Sequence, residues 1–338
     1  MTSRELVVDT LEFRGPARVP RQLWTLPWAE MTWPAELAAL RARFPDDIVS
    51  SPAFLREPPR TEGEEYEPGV FVDEWGCRFE NAQRGIIGQV KEPRLRDWSG
   101  LDGLRVPRER LTVDLAEVDG FCAASGAFVL AKTGARPFEL LQSLRGPENL
   151  YVDLAERPKG LFRLIDAVHA FFREEMELWA STEVDALVFA DDWGGQTGLL
   201  VAPGLWRELF KPLYREYVEI AHRNGKYAFM HSDGHIAAIL PDLVEIGLDA
   251  LNAQIFCMDV AEIGRRFAGK LTFWGEVDRQ RLLPSGTPAE VAAAVGEVHR
   301  ALWRGGGAIA QCEFGPGARP ENVAAVFEAW EALTRPAM

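Results

Sequence analysis

The segment His231-Ser232-Asp233-Gly234 carries an imidazole and a carboxylate at the end of a short apolar run, Lys226-Tyr227-Ala228-Phe229-Met230. Cys312 closes another such run, Ala308-Ile309-Ala310-Gln311. Imidazole, carboxylate and thiolate gathered at one mouth would hold a zinc ion. Singly, each residue has a plainer use. A His at a strand end is commonly a satisfied polar residue, and a lone Cys is commonly core. The zinc reading therefore requires a fold that gathers these strand ends.

Eight short apolar segments read as strands, at 19–25, 47–50, 128–132, 186–191, 227–231, 250–254, 271–275 and 308–312. Amphipathic stretches at 158–181, 203–224, 235–246, 259–268 and 287–304 read as helices between them. The second has Pro203 in its first turn and stops at Asn224-Gly225, while Thr287-Pro288-Ala289-Glu290 has the form of a capping box. Strand and helix alternating to a count of eight predict a (β/α)8 TIM barrel, although an open doubly wound sheet gives the same local pattern. Residues 1–338 read as one barrel domain interrupted by an insertion at about 52–126. Within it, residues 69–79 alternate like a β-hairpin, and the segment is expected on the catalytic face.

In a barrel of this kind the active site lies at the C-terminal strand ends. Those ends supply Asp191, Asp192 and Glu276 as candidate acids and bases. Gln196, Asn252 and Gln254 would contact substrate, with Asp73 as a further substrate contact and Trp24 and Trp75 as aromatic walls. The structural alternatives are an N-cap role for Asp191-Asp192, backbone support from Asn252 and Gln254, and core packing for the tryptophans.

Composition narrows the class. A net charge of −14 and the lack of a basic cluster argue against a nucleic-acid or lipid-headgroup partner. Four widely spaced cysteines without a C-x-x-C pair fit a reducing cytoplasm. No signal-peptide pattern and no apolar run near the ~20 residues of a membrane span is present, so a cytoplasmic location is expected. Neither Gly194-Gly195-Gln196-Thr197-Gly198 nor Gly305-Gly306-Gly307 matches a dinucleotide or P-loop motif, and there is no G-x-S-x-G elbow.

Several stretches in a fixed order resemble the uroporphyrinogen decarboxylase superfamily over nearly the whole chain. They include Pro16-Ala17-Arg18-Val19-Pro20, Asp73-Glu74-Trp75-Gly76, Arg136-Pro137-Phe138-Glu139 and Asp191-Asp192-Trp193-Gly194. Gly247-Leu248-Asp249-Ala250-Leu251-Asn252, Phe273-Trp274-Gly275 and Pro320-Glu321-Asn322-Val323 complete the set. The resemblance implies a (β/α)8 barrel. True decarboxylases of the superfamily use an arginine motif like R-Q-A-G-R-Y. Here Arg21-Gln22-Leu23-Trp24 lacks its glycine and second arginine, which would remove the clamp on an anionic tetrapyrrole.

The methyltransferase branch holds zinc through H-x-C and a distant Cys. His231 and Cys312 match the outer ligands, and Asp233 stands where the pattern has Cys. The resemblance thus implies zinc held by His231, Asp233 and Cys312. It also implies a methyl group moved between a small organic substrate and a corrinoid (cobalamin), free or on a partner protein, with a homodimer as the ordinary assembly. A carboxylate in place of a thiolate leaves the metal more electrophilic and favours activation of a methyl donor's heteroatom. Two alternatives stand beside this reading: a metal-independent decarboxylase, and a catalytically silent barrel that binds a tetrapyrrole or corrinoid.

Overall fold

The computed structural model describes residues 1–334. Its strands in chain order are β1 (Arg21–Thr25), β2 (Ile48–Ser50), β3 (Gly69–Val72), β4 (Arg78–Asn81), β5 (Gln89–Glu92) and β6 (Phe128–Leu130). They continue as β7 (Ala186–Ala190), β8 (Tyr227–Ser232), β9 (Ala250–Ala253), β10 (Thr272–Trp274) and β11 (Ala308–Phe314). Eight of them form a parallel sheet in the order β1-β11-β10-β9-β8-β7-β6-β2, curled into a nearly closed barrel with helices outside. Burial on both faces explains why β6, β9 and β10 are buried at every residue.

Side-chain alternation sorts the strand residues into two cores. Ile48, Phe128, Leu130, Ala186, Phe229, Ala250, Trp274 and Ile309 pack together inside the barrel. Their sequence neighbours, such as Ala228, Met230, Leu251, Ala310 and Cys312, pack outward in a second cluster shared with the helices. Helix Ser3–Leu11 begins on a Thr2–Glu5 capping box and lays Val7 and Leu11 against the interior cluster. Where β1 meets β2, side chains replace a ladder. The Asp47 N–H donates to the Arg21 carbonyl at 2.9 Å. The Arg21 and Leu23 amides donate to the carboxylates of Asp47 and Asp46, at 2.9 and 2.6 Å. Arg18 and Ser3 donate in turn to Asp47.

Two helices differ from expectation. The 203–224 stretch divides into Pro203–Leu209 and Lys211–Arg223, because Pro212 has no N–H to continue the first ladder. Of 235–246 only Leu240–Glu245 is α-helical. The capping box at Thr287 forms as read and opens helix Pro288–Leu302.

Within 52–126, β3 and β4 make the expected hairpin, and β5 adds a third antiparallel strand that the alternation did not announce. Helix Leu115–Ala124 also falls in this range, and it precedes β6 as a crossover helix of the barrel itself. Arg110 ties the hairpin turn to the barrel. It donates to Glu74 at 3.1 Å and to the buried Glu175 of helix Lys159–Ala180 at 3.0 Å. Among the described residues no helix is long and apolar enough to cross a membrane.

Candidate metal and catalytic site

Two crossing loops at the C-terminal ends of β7 and β8 build the site. The Asp191 N–H donates to the His231 carbonyl, Gly194 N–H to the Asp233 carbonyl, and His235 N–H to the Gly195 carbonyl, at 2.8–3.0 Å. Gly234 has φ +78°, and a Cβ there would lie 2.1 Å from the Gly194 oxygen. A Cβ on Gly194 would lie 2.3 Å from the His235 nitrogen. Only glycines permit this approach, and it brings Asp192 against Asp233, whose amide donates to Asp192 Oδ1 at 2.9 Å.

His231, Asp192 and Asp233 each direct one ligand atom into a common space, with those atoms all within 4.8 Å of one another. His231 Nε2 is 3.5 Å from Asp192 and 3.6 Å from Asp233. The other ring nitrogen is fixed. Asn252 donates its amide to the Trp274 carbonyl, which turns its oxygen toward His231 Nδ1 at 2.6 Å. Nδ1 therefore carries the proton, and in the neutral ring Nε2 presents a lone pair to the two carboxylates. Asp233 Oδ1 is buried without a hydrogen-bond partner, while its Oδ2 accepts from Arg279.

Acidic groups outnumber basic ones here. Asp192, Asp233, Glu139, Glu276 and Glu313 face the guanidiniums of Arg279 and Arg136. Burial opposes charge on His231, but hydrogen bonding and charge from Asp192, with Asp233 behind it, hold the imidazolium up to about 9. Burial also pushes Asp192 upward, yet His231 holds it below the ordinary carboxylate range. Burial pushes Glu276 up to about 7, against Arg279 and with Asp233 and Glu313 adding to the rise. Its Oε1 is buried without a partner. Burial and Asp192 raise Glu139.

The remaining sequence candidates divide. Trp24 lies 5.6 Å from the His231 ring and edge-on to Trp274, so it walls the site. Asn252 holds His231. Gln254 accepts from the Gly234 amide at 3.1 Å and also lines an open pocket of about 370 Å³ with Gln196, Phe256, Cys257, Glu276 and Arg279.

Other candidates lie elsewhere. Asp191 is fully buried, and both its oxygens accept from other groups: the amides of Phe138 and Glu139, which open helix Pro137–Arg145, and the Tyr214 hydroxyl. Asp73 closes the β3–β4 turn on the amides of Trp75 and Cys77, with burial pushing it up to about 6. Trp75 is buried edge-on to Phe171.

Cys312 is not brought to the group. It pairs in register with Leu23 and shares the outward face of β11 with Ala308, Ala310 and Phe314. Burial raises its thiol far above the ordinary range. Its neighbours Gln311 and Glu313 share the inward parity of Ile309. Strand alternation from Ile309 carried that signal in the sequence. Arg279 gave no comparable signal, since it reaches the site from a loop; Glu139 stood within a stretch carrying the family resemblance, but nothing local aimed it at the site, which it reaches from a helix start.

The family model described as uroporphyrinogen decarboxylase (URO-D) matches residues 72–333. No curated protein matches the chain at a significant level. Among solved structures, a methyltransferase from Methanosarcina mazei is 17% identical, with TM-score 0.70, over 98% of this chain and 99% of that one. An endo-β-1,4-xylanase from Gloeophyllum trabeum is 12% identical, with TM-score 0.46, over 95% and 99%. A 3-keto-D-glucoside 4-epimerase from E. coli is 14% identical, with TM-score 0.40, over 66% and 84%.

Proposed function

Because the chain belongs to the uroporphyrinogen decarboxylase (URO-D) family, we propose that it is a zinc-dependent methyltransferase of that family, moving a methyl group from a small organic donor to a corrinoid. The observation that carries this reading is the inward-facing set of His231 Nε2, Asp192 and the unpartnered Asp233 Oδ1. One imidazole and two carboxylates suit zinc with a coordination position left open. A pair of carboxylates beside the imidazole also suits a divalent cation. Cys312 has no place in this set, because it faces the helix layer. The proposed ligands are therefore His231, Asp233 and Asp192.

Bound there, zinc would supply Lewis acidity at the heteroatom that carries the methyl group. The chain's own groups do the rest. Asn252 fixes the imidazole tautomer, and outer partners of this kind are worth roughly 10–100-fold in metal affinity. Glu276, protonated up to about pH 7, holds a proton that it can deliver to the departing heteroatom as the methyl passes to cob(I)alamin. Trp24 and Trp274 keep water from one side of the site. The carboxylate-rich mouth repels a polyanionic tetrapyrrole, which favours a neutral or cationic donor. The corrinoid is a co-substrate or the cargo of a partner protein.

Metal content and methyl transfer to cob(I)alamin test the reading together. Wild-type protein and Cys312→Ser should retain about one zinc per chain, while His231→Ala and Asp233→Ala should lose it together with activity. Full zinc and activity in His231→Ala would overturn the proposal.

A further inference from the structure

Arg279 follows β10 and is held from three strands. It donates to Asp233 Oδ2 after β8 and to Glu313 Oε2 on β11 at 2.8 Å, and its Nε lies 3.6 Å from Glu276 Oε2. Its side chain is only 22% exposed, so the guanidinium is a fixed part of the site. The consequence for Asp233 is specific. One oxygen is taken, and the other is buried, unpartnered and 3.6 Å from His231 Nε2.

We propose that Arg279 sets the metal selectivity of this site: by occupying Asp233 Oδ2 it confines Asp233 to a single ligating oxygen, favouring a four-coordinate ion such as zinc over manganese or calcium. This rests on the metal-site reading above. Zinc in protein sites takes four ligands, one atom from each side chain. Harder ions such as calcium take six to eight oxygens, often with a carboxylate supplying both of its own. A carboxylate oxygen paired with a guanidinium keeps a second lone pair but is a weaker donor held in a fixed direction, so the bidentate mode of Asp233 is disfavoured. The planar fork of Arg279 reaches Asp233 and Glu313 together, which also fixes the direction in which Oδ1 points.

Removing Arg279 has two effects that separate cleanly. Loss of a positive charge raises affinity for every divalent ion alike. Release of Oδ2 helps only ions that use it. The ratio of zinc to manganese affinity therefore isolates the geometric effect from the electrostatic one.

Chelator-competition titrations with zinc and manganese, each added alone to metal-stripped protein, give this ratio without any activity assay. In Arg279→Met the ratio should fall by about tenfold or more from its wild-type value, in the range of outer-partner effects on metal sites. Arg279→Lys keeps the charge but loses the fork, and its ratio should fall too. A ratio within twofold of wild type in both variants, with the two affinities rising or falling together, would overturn the proposal. Wild-type protein that binds neither ion would instead overturn the metal site itself, so the two failures are distinct. Thermal melts of both variants establish that the titrated protein is folded.

Discussion

Glu276 is the group whose environment makes the sharpest thermodynamic demand. It is 3% exposed, one oxygen lacks a partner, and burial pushes it from 4.5 up to about 7. Its folded value lies above its unfolded one, so between those values the folded chain binds the extra proton. Stability against unfolding therefore falls as pH rises through that window, and levels off above it. A shift of this size corresponds to about 3 kcal/mol at 1.36 kcal/mol per unit. Glu276→Gln keeps the shape and removes the titration. Any packing cost of the new amide is the same at every pH, so the comparison between pH values cancels it. Urea unfolding of metal-free wild type and variant at pH 4.5 and pH 8 measures the effect. The variant should gain about 2–3 kcal/mol relative to wild type between the two. A difference that stays constant with pH would refute the account of Glu276 as a carboxyl kept protonated by its surroundings. Loss of activity in the same variant would then tie that proton to catalysis, the usual exchange of stability for function at such sites.

Two further outcomes follow from the geometry. Asn252→Leu removes the acceptor at His231 Nδ1, so zinc affinity by chelator competition should fall roughly 10–100-fold while the fold persists. Gly234→Ala imposes a left-handed alanine and a Cβ contact with the Gly194 carbonyl; denaturation should show a loss of about 2–4 kcal/mol, together with weakened metal binding as Asp233 moves from Asp192.

The barrel was legible because its determinants are local. Each parallel strand, buried on both faces, writes itself as an apolar run such as Ala186–Ala190, and helix starts such as Thr287 carry their own caps. His231 and Asp233 were legible for the same reason, since they lie two residues apart on one strand end and share its inward parity. Cys312 shows where type and spacing stop being enough. It stands at the correct strand end, but one residue out of phase with the interior, and phase has to be counted from a residue known to face inward. Arg279 and Glu139 depend on loop paths and helix placement that no short window contains. Asp191 and Asp192 are adjacent, yet one supports a helix start and the other faces the site, because successive residues leave a strand in opposite directions.

The junction between β1 and β2 gives the ring a preferred place to part. Seven of its joints are strand ladders, and the eighth is a clasp of Asp46 and Asp47 on backbone amides. Thermal opening should begin there, much as a belt gives at its buckle. The same clasp holds Ser3, so an opening would also loosen helix Ser3–Leu11, which packs Val7 and Leu11 against the interior core. β8 and β9, which carry His231 and Asn252, occupy the middle of the strand order and are thus the strands farthest from that joint. The fold keeps the His231–Asn252 pair on the part of the ring that an opening reaches last, while the Trp24 wall stands at the joint itself.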